Sequence, residues 1–396
     1  MRILHVATDE KFLDHAYPVF ERAFPNSNDV VVFAPRLPLR YVKLVPNRVE
    51  VICRDSFKWM PSISTGVYRK YDLVVFHSLQ KAFFRLLSSL PSDVPAVWLG
   101  WGGDYYPEMF YEGTLLLRET RLLKRRLEGL NFRGRFGPII KRLQYRFPLM
   151  NRKIMAVERM SVFAPVLPEE YLMLKQSRKW KAFPRSAVWN YGTIEDNFTR
   201  GVEGEVVTGN AILVGNSASY TCNHLDALEL LVNLQVRDRK IIVPLSYGDP
   251  EVAKAVASHG RKKGFQEFIP LVDFLAVDDY VKIIKECGFV IMNQKRQQAV
   301  GNVVIMLYLG ARVFLRRENP LCGFLRSAGV NISTVQELER KPGLLSTPLS
   351  KLERSMNRKF VCDYWSRETA HKRTKELVFN ALLDSKNHAN PRPPDL

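Results

Sequence analysis

Residues 212–224 read Ile212-Leu213-Val214-Gly215-Asn216-Ser217-Ala218-Ser219-Tyr220-Thr221-Cys222-Asn223-His224. Three aliphatic residues run into a loop of small side chains, and Asn223 stands where it can cap a helix beginning at His224. A strand, a glycine-bearing turn and a helix start, in that order, make half of a βαβ unit. Gly215 allows a close backbone approach to a ligand, and amides at such a turn can hold a phosphate oxygen. An ordinary β–α turn has the same spacing. Downstream the alternation continues, with strands predicted at 211–214, 241–245, 289–293 and 313–316 and helices at 224–234, 251–259, 279–287 and 303–310. Upstream, strands are predicted at 3–7, 30–33, 49–53, 73–77 and 96–99, with helical patterns at 12–24 and 80–90.

This pattern predicts an α/β chain of two Rossmann-like, doubly wound domains facing a cleft, with ligands at the carboxyl ends of the strands. Residues 193–210 are polar and aperiodic, the expected linker. The expected domains are 1–192, 193–348, and a C-terminal helical region, 349–396, that can pack back on the first domain and ends in a proline-rich tail.

The 396 residues are 46% hydrophobic, a globular balance that excludes disorder. Against 40 acidic residues stand 59 Lys and Arg, a net charge of +19 that asks for an anionic partner. The excess is concentrated. Between Leu115 and Met160 there are 13 basic residues, among them Arg118, Arg121, Lys124, Arg125, Arg126, Lys141 and Arg142, against three acids. Leu, Ile and Phe are interleaved, so residues 113–160 predict basic amphipathic helices for an anionic membrane surface. No RNA- or DNA-binding motif accompanies the charge, and nucleic acid is not expected as a partner. Five scattered cysteines without a C-x-x-C pair argue against a disulfide framework or zinc cage and fit a reducing compartment. No apolar run reaches the length of a spanning helix, and the N-terminus lacks a signal-peptide pattern.

Four constellations can carry chemistry. The first is Gly215-Asn216-Ser217 with His224. The second is Arg296-Gln297-Gln298-Ala299-Val300-Gly301-Asn302, whose amides suit sugar hydroxyls and base edges and whose arginine suits a diphosphate. The third is Arg316-Arg317-Glu318-Asn319-Pro320, where Glu318 can accept two sugar hydroxyls or merely neutralise its arginines. The fourth is Trp101-Gly102-Gly103-Asp104-Tyr105-Tyr106, where Asp104 stands on a glycine-rich turn as a candidate base or as a surface turn residue. His77 ends a predicted strand, where histidines are more often structural. There is no P-loop, no G-x-G-x-x-G after a strand and no hydrolase motif.

Together, in this order, these segments resemble the TDP-N-acetylfucosamine:lipid II N-acetylfucosaminyltransferase family, glycosyltransferase family 56. Trp101–Tyr106 is similar to that family's W-G-x-D-x-Y segment, and His77 to its strand-end histidine. The resemblance implies a GT-B glycosyltransferase that needs no metal or cofactor. Its expected substrates are a TDP-sugar donor and a polyprenyl-diphosphate-linked glycan acceptor, at the cytoplasmic face of the bacterial inner membrane. It implies a donor site of Gly215, Asn216, Ser217, Gln297, Gln298, Gly301 and Glu318, with Tyr247 near the base or sugar. Arg296 and His224 are then expected at the diphosphate and Asn302 in the same loop. Asp104, with His77, is the expected catalytic group, as base if configuration inverts and as acceptor-positioning residue if it is retained.

Overall fold

The computed structural model describes residues 1–43, 49–53, 70–129, 149–275 and 277–389. The chain forms two compact units. Met1–Met109, Ile139–Asp196 and Arg367–Leu396 make the first; Phe110–Pro138 and Asn197–Ser366 make the second.

The first unit holds β1 (Ile3–Thr8), β2 (Asn28–Ala34), β3 (Val49–Cys53), β4 (Leu73–His77), β5 (Ala96–Leu99), β6 (Val162–Ala164) and β7 (Arg185–Ser186). All pairs are parallel, in the order β3-β2-β1-β4-β5-β6-β7. The strands are near-continuous aliphatic runs because helices cover both faces of a parallel sheet. Ile3, Val75, Val97 and Val162 pack against Phe20 of the helix Phe12–Ala23 and against Leu377, Val378 and Ala381 of the helix Arg367–Ala389. The start of that last helix is fixed by charge. Glu195 accepts the Arg367 backbone N–H at 3.0 Å, and Asp196 binds the guanidinium groups of Arg367 at 2.7 Å and Arg22 at 2.5 Å.

The second unit holds β8 (Ile212–Val214), β9 (Lys240–Pro244), β10 (Glu267–Leu271), β11 (Phe289–Met292), β12 (Arg312–Leu315) and β13 (Ser333–Thr334), in the order β10-β9-β8-β11-β12-β13. This sheet is again parallel throughout. In each unit the strand order reverses, between β1 and β4 and between β8 and β11. Each reversal opens a crevice outside the carboxyl ends of the strands.

The structure departs from the sequence reading at several places. The first part of the basic segment, Phe110–Pro138, belongs to the second unit, while its remainder, with the helix Leu149–Glu158, stays in the first. Asp226 accepts hydrogen bonds from the backbone of Glu119 (2.8 Å) and Thr120 (3.0 Å) and from the Thr120 hydroxyl (2.6 Å). It thereby satisfies first-turn donors of the helix Arg118–Gly129, whose Leu123 is buried in the second unit's core. Asn223 does not cap its own helix: at φ +52° its amide donates to Leu115 O (3.1 Å) and accepts from Leu117 N (2.8 Å). Next, the C-terminal helical region breaks at Trp365 and Ser366 into Lys351–Tyr364, in the second unit, and Arg367–Ala389, in the first. Finally, β10 contains Pro270, which hid it from a pattern reading; it lies at the sheet edge, where a missing N–H is tolerated.

Candidate active site

At the carboxyl edge of the second sheet, the loops after β8, β9 and β11 enclose a pocket of about 300 Å³. Its walls carry the Ser217 and Ser219 hydroxyls, the Tyr220 and Tyr247 rings, Asp249, Arg296, Gln298 and Glu112. The β8 and β9 loops are joined like strands: Ala218 N donates to Tyr247 O at 2.7 Å and Asp249 N to Ala218 O at 2.8 Å. Gly248, at φ +121°, permits this, since a Cβ there would stand 2.5 Å from Ala218 O. Asp249 also caps the helix Pro250–Arg261 through Glu251 N at 2.8 Å.

The β8 and β11 loops are clasped by Gln298. Its Nε2 donates to Cys222 Sγ (3.2 Å), Ser217 Oγ (3.3 Å) and Asn216 Oδ1 (3.4 Å), and its Oε1 accepts from Thr221 Oγ1 at 2.8 Å. Arg296 Nε donates to the same Thr221 oxygen at 3.3 Å. The helix Val300–Leu309 follows this loop and points its N-terminus, the positive end of its dipole, back toward it.

Of the residues expected at the donor, Ser217, Tyr247, Arg296 and Gln298 line the pocket. Gly215 is required, but its missing side chain makes room for protein, not ligand. A Cβ there would lie 2.2 Å from His224 Cε1, and φ is +68°. His224 is buried at 2% exposure and donates Nε2–H to Ser217 O at 2.8 Å, so it holds the loop from beneath and does not line the pocket. Gln297 is likewise buried, and neither Asn216, Gln297 nor Gly301 lines the pocket. Gly301 instead lies against the Phe198 ring. Asn302 turns to Tyr280, donating to its hydroxyl at 3.1 Å. Glu318 is held by Gln336 Nε2 at 2.7 Å and Arg316 at 3.5 Å, away from the pocket lining. Burial raises its pKa, but its own backbone N–H, Arg316 and Gln336 outweigh that and lower it. Glu112, Ser219, Tyr220, Thr221, Cys222 and Asp249 escaped the sequence reading. The one local signal was the run of hydroxyls between Gly215 and His224.

The corresponding edge of the first unit is closed by its own side chains. Asp104 accepts from Trp98 Nε1 (2.7 Å), Leu79 N (2.8 Å) and Trp101 N (2.9 Å), and is 7% exposed. A carboxylate so occupied ties the Trp98–Tyr106 turn to Leu79, and its oxygens face protein N–H groups. His77 is fully buried: His5 Nδ1 lies 3.0 Å from its Nε2, and the Tyr191 hydroxyl lies 3.2 Å from its Nδ1. Asn28 donates to Glu21 and Phe24 O and offers its oxygen to His5 Nε2 at 3.1 Å. That order fixes every tautomer: His5 donates to Asn28, His77 to His5 and Tyr191 to His77. Burial, then the neighbouring imidazole, pushes His77 well below the ordinary histidine pKa. It stays a neutral strut, not a general base.

On the helix Arg118–Gly129, Arg118, Arg121, Leu122, Arg125 and Arg126 are exposed. Lys124 turns inward: its Nζ lies 2.5 Å from Glu112 Oε2 and 5.2 Å from the centre of the Tyr220 ring. Lys141 and Arg142 lie outside the described residues. No described helix is long and apolar enough to cross a membrane, and no described group of three His, Cys, Asp or Glu side chains could hold a metal ion.

The model of the family described as 4-alpha-L-fucosyltransferase glycosyl transferase group 56 matches residues 140–341, just over half of the chain. The chain belongs to this family. It is a glycosyltransferase, and its two Rossmann-like units are those of the GT-B fold. Solved structures with this fold include Anabaena HepE in complex with UDP-glucose (14% identity, 95% of this chain and 99% of that chain covered, TM-score 0.60). A glycosyltransferase from Rickettsia africae is also similar (11% identity, 96% and 99% covered, TM-score 0.59). The N-terminal domain of Candida albicans trehalose-6-phosphate phosphatase is a third such structure (8% identity, 97% of each chain covered, TM-score 0.58). At these identities the likeness is one of fold.

Proposed function

We propose that the pocket of the second unit binds the nucleotide diphosphate of a TDP-sugar. In this reading the chain transfers 4-acetamido-4,6-dideoxygalactose to a polyprenyl-diphosphate-linked glycan, a step in surface-polysaccharide synthesis of the enterobacterial common antigen type. One observation carries this reading: a cation, Arg296, and two serine hydroxyls share a pocket with two tyrosine rings at the β8/β11 strand reversal. Glycosyl transfer leaves negative charge on the departing diphosphate, which the guanidinium and the helix N-terminus after it can stabilise without a metal ion. Tyr220 and Tyr247 offer faces for a pyrimidine. HepE, of the same fold, is known with UDP-glucose.

The exposed arginines around Leu122 would seat this unit on anionic headgroups at the cytoplasmic face of the inner membrane. The acceptor would be met there in its own membrane.

The test is turnover with a panel of TDP-sugars, a lipid-diphosphate acceptor and a membrane fraction. Transfer of the 4-acetamido sugar supports the reading. Transfer of a different TDP-dideoxyamino sugar alone moves the protein to O-antigen assembly, and transfer from no TDP-sugar overturns the reading. Activity is expected to persist in a chelator, and vesicle binding to favour anionic over neutral lipid. Equal binding to both would remove the membrane role.

A further inference from the structure

Beneath the pocket wall lies a thiol that the transfer reaction itself does not use. Cys222 is 1% exposed and sits between the β8 and β11 loops. Its Sγ is within 3.2 Å of Gln298 Nε2, 3.3 Å of Asn216 Oδ1, 3.6 Å of Ser217 Oγ and 3.8 Å of Gln294 Nε2. A primary amide has two ends that differ in kind, and its neighbours decide which way round it sits. At Gln298 the three acceptors on one side, sulfur, Ser217 and Asn216, take the NH2. The carbonyl is therefore turned to Thr221, whose hydroxyl hydrogen it accepts at 2.8 Å. With its hydrogen so directed, Thr221 Oγ1 keeps lone pairs for Arg296 Nε at 3.3 Å and the Ser219 hydroxyl at 3.0 Å. If the amide were reversed, its NH2 would face Thr221 and the hydroxyl hydrogen would turn against the Arg296 N–H.

We propose that Cys222 is a positioning residue of the donor pocket: through Gln298 and Thr221 its sulfur sets the orientation of Arg296, the pocket's cation. The inference rests on the reading of this pocket as the donor site. The thiol hydrogen points to Asn216 Oδ1 at 3.3 Å, which leaves the sulfur lone pairs to accept from Gln298 Nε2.

The test is a double-mutant cycle on the full chain, read as KM for the TDP-sugar and kcat separately. Arg296→Ala is expected to raise KM at least tenfold. If it leaves KM unchanged, the donor-pocket reading fails and the inference goes with it. If Arg296→Ala has its effect, Cys222→Ala is expected to raise KM about tenfold with kcat nearly unchanged, equivalent to about 1.4 kcal/mol. Cys222→Ser, which restores an acceptor, should recover most of that. The double variant should be no worse than Arg296→Ala alone. Additive effects, or an unchanged KM in Cys222→Ala, would overturn the proposal. Thr221→Val breaks the same relay while leaving the sulfur in place. It should give the same tenfold rise, which keeps the proposal falsifiable if Cys222→Ala does not fold.

Discussion

The two units repeat one strand order, yet their carboxyl edges are finished in opposite ways. In the first, the polar groups at the reversal are spent on the protein: Asp104 takes three N–H groups, and His77 is locked between His5 and Tyr191. In the second, the same position is left open, with Arg296, Ser219 and two tyrosines facing a pocket. Topology provides a crevice in both units. Whether it becomes a binding site depends on where the loop side chains find their partners.

The contrast can be broken most severely at Gly215. Gly215→Ala requires a positive φ from an L-residue and drives a Cβ into the His224 ring. The cost is expected at about 3 to 5 kcal/mol, with nucleotide binding abolished. Calorimetric unfolding together with a nucleotide titration would register both. Asp104→Asn is the corresponding change in the first unit. An NH2 in place of an oxygen meets at least one N–H head-on, at about 2 to 3 kcal/mol. The melting transition should fall while nucleotide affinity, measured by isothermal titration, stays unchanged. A loss of affinity there would erase the distinction between the two edges.

Acid should act on the first unit through its buried histidines. Burial lowers His5 from 6.5 to about 4, and burial with the His5 imidazole also pushes His77 well below the ordinary histidine pKa. The unfolded chain then binds protons below pH 6.5 that the folded unit refuses. Stability is therefore full above that pH and declines as pH falls from 6.5 toward 4. Urea midpoints across this range are expected to drop, and less steeply in His5→Gln. The smallest effect is expected at Asp226→Ala, which strips the donors at the start of the Arg118–Gly129 helix of their acceptor and costs about 1 to 2 kcal/mol. Proteolysis near residue 118 should speed up, and preference for anionic vesicles should weaken.

Much of the fold is legible because a parallel sheet demands continuous aliphatic strands, and Ile212–Val214, Leu73–His77 and Phe289–Met292 provide them. The strand with Pro270 and the short strands Arg185–Ser186 and Ser333–Thr334 carry too little pattern to be read. At the site, Arg296, Gln298 and Ser217 stand out because donors cluster there in sequence. Glu112 does not, since what brings it to the pocket is the capping of a distant helix by Asp226 and Asn223, and such partnerships have no local signature. Trp101–Tyr106 misleads for a related reason. A motif of aromatics, glycines and one aspartate is just as well suited to tying a turn to itself as to meeting a substrate, and only the positions of Trp98 Nε1 and Leu79 N decide between them.

The helix Arg118–Gly129 lies in sequence among stretches of the first unit, while its supports, Asn223 and Asp226, are in the second. No single cut in the gene can therefore yield the second unit intact. A fragment spanning 197–366 would leave those two side chains facing water, bare the surface that Leu123 covers, and lose Glu112 from the pocket. A separately expressed second unit would have to be rewired, with residues 110–129 spliced ahead of 197. The interleaving also means that this helix can be gained, lost or exchanged only together with its host.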